Sequence, residues 1–197
     1  AYAAAAMTAM MKTEEMERKG VAKKPLFVAM ENLFPESYGA HPDELIDLVK
    51  GSQEKMKVQL MQKGFSENEA QKRAETHIGA TFDTGHFNMW KKYWRGDPNK
   101  NIEENEKGFS NWFLNQVEKL AKSGVVKHIH MVDNYGYQDE HLAPGQGNTP
   151  IKEAVAIFKK NGFKGDFIVE AGADYTTDSS GFNTMTKAWN YMGNSIY

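Results

Sequence analysis

Gly124-Val-Val-Lys-His-Ile-His-Met-Val-Asp133 compresses a helix stop, a strand and a polar strand end into one continuous stretch. Upstream of it, residues 103 to 122 set Phe109, Trp112, Phe113, Val117 and Leu120 near one helical face. Glycine just past such a face accepts the left-handed conformation that ends a helix, so Gly124 reads as the stop. The apolar run Val125 to Val132 then begins at once. Downstream, Pro150 opens a second helix whose Ile151, Ala154, Val155 and Phe158 recur at helical spacing, closed by Asn161-Gly162. Another short apolar run, Phe167 to Val169, follows and ends in Glu170. Two earlier runs, Leu26 to Met30 and Ile78 to Phe82, repeat the pattern. Between them, Pro42 with its following acids and the Ser66-Glu-Asn-Glu69 capping-box spacing open at least two helices. A last helix over residues 182 to 193 is expected to bury Phe182, Met185, Trp189 and Met192.

Apolar runs that alternate with amphipathic helices predict a parallel sheet with helices outside, the α/β class, because parallel neighbours need a crossover long enough to hold a helix. Four strands are expected near residues 26 to 30, 78 to 82, 126 to 131 and 166 to 169, adjacent in that order. With 197 residues, 40% hydrophobic and 25% charged, the chain suits one globular domain spanning residues 1–197. A formal net charge of -2 supplies no general attraction to phosphate backbones, so nucleic-acid binding is not expected. No apolar run reaches the length of a membrane span, and no membrane partner is expected. The absence of cysteine removes disulfides and thiolate metal sites and is compatible with a cytoplasmic location. Any metal must therefore sit on histidine and carboxylate.

Those residue types gather at one end of every run. The first strand ends at Glu31, the second at Asp83 with His86 beyond it, the third carries His130, and the fourth ends at Glu170. Asp139 and His141 follow the third strand on a loop that continues into Gly145-Gln-Gly147. Mixed carboxylate and imidazole donors suit a divalent ion such as Mn, Mg or Zn, and donors from four neighbouring strand ends converge only if the strands curve as in a barrel. Each residue also has a plainer reading. One acid after a strand is commonly a helix N-cap, His130 alone suits a satisfied core histidine, and Asp139 and His141 suit solvated loop positions. Recurrence of the same residue types at the same end of four runs favours the joint site. The helical Trp and Met residues are read as core, His77 and His128 as structural, and Lys91 to Arg95 as a solvated segment.

The words Glu31-Asn-Leu-Phe, Phe82-Asp-Thr-Gly-His86, His130-Met-Val-Asp133, Asp139-Glu-His141 with Gly145-Gln-Gly147, and Gly165-Asp-Phe-Ile-Val-Glu170 resemble the xylose isomerase-like barrel superfamily. That superfamily contains sugar phosphate isomerases and epimerases, inosose-type dehydratases and the endonuclease IV group. The resemblance runs from about residue 21 to 172 and implies an eight-stranded barrel. It implies that Glu31, Asp83, His130 and Glu170 hold one divalent metal with His86 beside the substrate. Asp139 and His141 match positions that bind extra zinc in the endonuclease pattern. Three strand and helix units already occupy residues 26 to 167, so eight exceed this chain. The expectation is the C-terminal half of a barrel, with residues 1–24 a helix entering from a missing N-terminal half, or with a homo-oligomer partner completing the ring.

The reaction the resemblance implies is isomerisation or epimerisation of a small polyhydroxy carbonyl compound, with Glu31 and Glu170 as acid and base. The alternatives are metal-dependent hydrolysis of a phosphodiester at abasic DNA, and a non-catalytic barrel subunit in an assembly.

Overall fold

The computed structural model describes residues 1–21, 24–172 and 181–195. Its sheet has four strands, β1 (Val28–Glu31), β2 (Ile78–Asp83), β3 (Val126–Met131) and β4 (Asp166–Val169), in the spatial order β1-β2-β3-β4. All three pairings are parallel, with Glu31 beside Thr81, Asp83 beside His130 and Met131 beside Val169. The expected strands and their order therefore hold, and the C-terminal ends of all four share one rim.

Helices α1 (Tyr2–Arg18), α2 (Pro42–Gln62), α3 (Glu67–His77), α4 (Thr84–Asn88), α5 (Ile102–Ser123), α6 (Ile151–Lys160) and α7 (Phe182–Tyr191) connect or flank the strands, with a 3-10 turn at Met89–Tyr93. Local chemistry explains their ends. Pro42 occupies the first turn of α2, where a missing N–H costs nothing, and the His41 ring accepts from the Asp43 amide. Asn101 and Glu104 close a reciprocal capping box on α5, and Gly124 ends it at φ 71° before β3 starts. At α3 only half of the expected box forms: Ser66 accepts from the Glu69 amide, while the Glu69 carboxylate pairs with Arg73. The stronger charged partner takes the side chain that the box required.

The core lies between the helices and the outer face of the sheet. Phe82, Phe87, Phe113, Phe158, Leu45, Met56, Leu60 and Leu120 are fully buried in it. β2 is buried along its whole length, as a central parallel strand should be, whereas β4 is largely exposed. Two expectations are corrected here. The N-terminal helix stops at Arg18, not near residue 24, because Gly20 takes a left-handed φ of 68°; Ala22 and Lys23 lie outside the described residues. The α7 face is core only at its C-terminal end: Phe182 is 65% and Trp189 54% exposed, Met185 is exposed too, and Ala188 is buried while Met192 packs partly buried against the core. Its neighbour β4 is an edge strand, so the helix meets one layer instead of two. In the segment from Lys91 to Arg95, residues 93 to 95 are exposed as expected, whereas the Lys91 ammonium is nearly buried and pairs with Glu106 at 2.6 Å. No helix among the described residues is long and apolar enough to cross a membrane.

Candidate metal centre

Three inter-strand steps of about 4.8 Å separate β1 from β4, so in a flat sheet their ends would stand about 14 Å apart. Yet the carboxylates at the ends of both edge strands, Glu31 closing β1 and Glu170 following β4, reach one imidazole. His130 Nδ1 lies 2.7 Å from Glu170 Oε2, 3.4 Å from Glu31 Oε1 and 3.7 Å from Asp83 Oδ2. Such convergence requires a sheet curved as a barrel wall is curved, with the rim on its concave side.

Each side chain is placed by its own strand end. Asp83 is fully buried at the close of β2, and its Oδ1 accepts the His86 amide at 2.7 Å, capping α4. The plain reading of this acid as an N-cap is thus correct for one oxygen. The other, Oδ2, is buried without a hydrogen bond and faces His130. Asn32 clasps the same turn, donating from Nδ2 to the Asp83 carbonyl at 3.0 Å and accepting from the Asp83 amide at 2.8 Å. This locks the end of β1 to the end of β2. Thr84 does the same between β2 and β3, its hydroxyl donating to the Val132 carbonyl at 2.8 Å and accepting from the Val132 amide at 3.0 Å.

The electrostatics of the four-residue group favour a cation. Burial pushes the Glu31 carboxyl above its ordinary range; His130 pulls it back, and Asp83 and Glu170 push it up again. The Asp83 carboxylate, with Glu170 and Glu31, raises the His130 imidazole against the opposing effect of burial. Neither His130 Nδ1 nor Asp83 Oδ2 makes a well-directed hydrogen bond. Three carboxylates around one ring nitrogen repel one another unless positive charge lies between them. One donor atom from each of Glu31, Asp83, His130 and Glu170 falls within 4.8 Å of all the others. An oxygen-rich set with a single imidazole is one that Mn, Mg or Zn accepts, so these residues fit the divalent ion that the sequence calls for.

A second group sits beside the first. His86, Asp139 and His141 also bring donor atoms within 4.8 Å of one another. The Asp139 Oδ2 atom is 3.4 Å from His86 Nε2 and 3.1 Å from His141 Nε2, while Asp139 Oδ1 is buried without a partner. The far nitrogens of both rings face main-chain oxygens, His86 Nδ1 the Asn32 carbonyl at 2.9 Å and His141 Nδ1 the Glu170 carbonyl at 3.0 Å. Such contacts orient a ring with its other nitrogen free to ligate. Burial lowers the His141 imidazole, but the Glu170 carbonyl and Asp139 outweigh it and the net movement is upward. His86 therefore groups with Asp139 and His141, although its Nδ1 also lies 3.5 Å from Glu31 Oε1 and so links the two groups. Phe34 packs edge-on against the His86 ring, with centroids 5.3 Å apart. Of the two structural histidines, His77 faces the Leu26 carbonyl at 2.6 Å, and His128 stands behind His130 with ring centroids 4.9 Å apart.

Asn32, Thr84 and Asp133 escaped the sequence reading as site-building residues. Their signals were position, next to residues with obvious chemistry, and a place inside the words that carry the family resemblance. Uncharged Asn and Thr at a strand end resemble any turn residue until the neighbouring strand is known.

Comparison with known proteins agrees with the fold. The xylose isomerase-like TIM barrel family model matches residues 66–187. An uncharacterized protein of Methanocaldococcus jannaschii, MJ1311, is 28% identical over 146 residues, covering 73% of this chain and 36% of its own length. Among solved structures, a D-tagatose 3-epimerase-like protein aligns over 95% of this chain and 52% of its own, with a TM-score of 0.50 and 23% identity. The chain thus spans about a third of that relative and about half of that structure. Parallel strands curved so that four C-terminal ends meet at one group of carboxylates and imidazole are part of a TIM barrel wall, and with the family model matching most of its length, the chain belongs to the xylose isomerase-like TIM barrel family.

Proposed function

We propose that this chain carries the metal site and the acid and base carboxylates of a sugar isomerase or epimerase. The observation that carries this reading is the convergence of Glu31, Asp83, His130 and Glu170 on one point at the rim. A divalent ion held there supplies a Lewis acid that polarises a carbonyl beside it. The protein side chains then handle the proton. Glu170 stands at the mouth of the group, about half exposed, where a carboxylate oxygen can take a proton from the carbon next to a carbonyl. Glu31 approaches from the opposite edge of the sheet, where a carboxyl group would return the proton from the other side of the substrate. Return to the adjacent carbon gives an isomer, and return to the opposite face of the same carbon gives an epimer. His86 lies between the two groups, where a substrate hydroxyl finds a ring nitrogen. The remainder of the pocket belongs to the other half of the barrel, in the same polypeptide or in a partner.

The test is hydrogen exchange into a panel of ketoses in deuterated water, with and without added Mn, Mg or Zn. Metal-dependent incorporation of deuterium that is lost in Glu170→Gln supports the reading; turnover without any exchange removes the carboxylate base. A second reading has its own observation in its favour. The His86, Asp139 and His141 group would hold a further metal, as a phosphodiesterase of the endonuclease IV kind requires. Cleavage of abasic DNA with no turnover of any ketose selects it.

A further inference from the structure

Asp133 is 1% exposed at the end of β3, and no ligand group includes it. Its carboxylate accepts four backbone N–H groups. Oδ1 takes those of Asn134 at 2.9 Å and Thr149 at 3.0 Å, and Oδ2 those of Gly145 at 2.8 Å and Gly147 at 2.9 Å. Its main chain pairs with Leu142 in both directions, at 3.0 and 2.8 Å, forming an isolated antiparallel bridge. The bridge seizes the residue directly after His141, which alone among the described non-glycine residues has a positive φ, 50°. Residues 134–149 thus hang from Asp133 at both their middle and their far end.

The glycines of Gly145-Gln-Gly147 follow from this. Gly145 takes a φ of 91°, and a Cβ on Gly147 would overlap the Asn134 carbonyl oxygen and Asp133 Oδ1. Only bare backbone can bring these amides onto the buried carboxylate. A carboxylate that accepts several N–H groups is a strong and directional anchor, since each bond is charge-assisted.

We propose that Asp133 is the positioning residue of the rim: by gathering the loop onto one carboxylate it holds Asp139 and His141 against His86. It touches neither ligand group itself. The left-handed backbone of His141 is held by the Leu142 bridge, and the His141 ring then reaches the Glu170 carbonyl and Asp139. The consequence for metal binding rests on the reading of that group given above; the placement of the loop does not.

Two variants test it. Asp133→Asn keeps the shape but replaces one acceptor oxygen by a donor, leaving two amides without a partner. Gly147→Ala keeps the charge and pushes the loop away from it, so it serves should the first variant fold poorly. In the metal-free protein at fixed pH, each is expected to speed amide exchange at Gly145 and Gly147 about tenfold or more, and to move the His141 imidazole nitrogen resonances while those of His77 stay in place. Zn2+ titration is then expected to weaken at the His86 group, to the same extent as in His141→Ala, with the four-residue group unaffected. Unmoved His141 resonances in both variants, with or without a fall in melting temperature, would overturn the proposal. Moved resonances with unchanged Zn2+ binding would support the positioning and remove the metal reading of that group alone.

Discussion

The two candidate metal groups on the rim are built in opposite ways. Glu31, Asp83, His130 and Glu170 stand on or directly after strands whose positions are set by three parallel pairings and two cross-strand clasps, Asn32 on Asp83 and Thr84 on Val132. Asp139 and His141 stand on a loop without regular structure, gathered onto the buried Asp133 carboxylate and tied to α4 by hydrogen bonds of Asn88 and Asn134. The first group inherits its geometry from the sheet, whereas the second borrows it from Asp133. Chemistry that needs fixed distances belongs with the strand-borne group.

The sharpest way to break this comparison is Glu170→Gln. The amide can still accept and donate hydrogen bonds but cannot take up a proton, so turnover should fall by about 10²- to 10⁴-fold. The side chain is half exposed and caps nothing among the described contacts, so stability should stay within about 0.5 kcal/mol. Solvent-deuterium incorporation and denaturant unfolding measure the two. A loss of stability as large as the loss of activity would place Glu170 in the scaffold.

His141→Ala addresses the loop-borne group. Affinity for a second Zn2+ should fall by more than about tenfold, while the first equivalent binds as before; calorimetric titration separates the two steps. Equal weakening of both steps would show one coupled cluster in place of two.

Asp83 caps α4 and belongs to the candidate metal group, and two substitutions divide these roles. Asp83→Ala removes the cap of α4 as well as the ligand and should cost about 1 to 2 kcal/mol of stability in metal-free protein. Asp83→Asn can keep a capping oxygen on the His86 amide, so it should cost less while still weakening metal binding. Equal destabilisation by both would mean that charge, not the cap, holds the turn.

The smallest expected effect is on pH dependence. The His130 and His141 imidazoles are raised above the usual 6.5 in the folded, metal-free chain. A raised group stabilises the fold fully below its unfolded value and loses that contribution as pH climbs through the folded one. Metal-free stability should therefore decline slightly as pH rises above about 6.5. Ligation needs neutral imidazole, so Zn2+ stabilisation should grow over the same window. Melting temperature against pH, with and without Zn2+, should give two curves of opposite slope; parallel curves would dissociate these histidines from the metal.

Much of this was legible in the residues themselves. Gly124 after the α5 face and Pro42 ahead of α2 are local signals, set by backbone dihedrals and missing N–H groups, and they needed no neighbour to be read. Strand order followed from the alternation of strands and helices, because consecutive parallel strands joined by a helical crossover usually lie side by side. The α7 face misled for the complementary reason. Phe182, Met185 and Trp189 have core spacing, yet burial depends on a second layer that helix periodicity does not reveal.

The sequence by itself determined which residue types end each strand, because the side-chain chemistry that ligates a cation is present whatever the fold does. Only the tertiary structure decided how they are shared. Glu31 and Glu170 are 139 positions apart and lie on opposite edges of the sheet. They meet at His130 because the sheet curves, a property of packed strands that no single segment carries. Likewise His86 joins Asp139 and His141 because the loop after β3 folds back over the rim onto the buried Asp133 carboxylate, a contact that exists only once residue 133 and residues 145 to 149 come together in space.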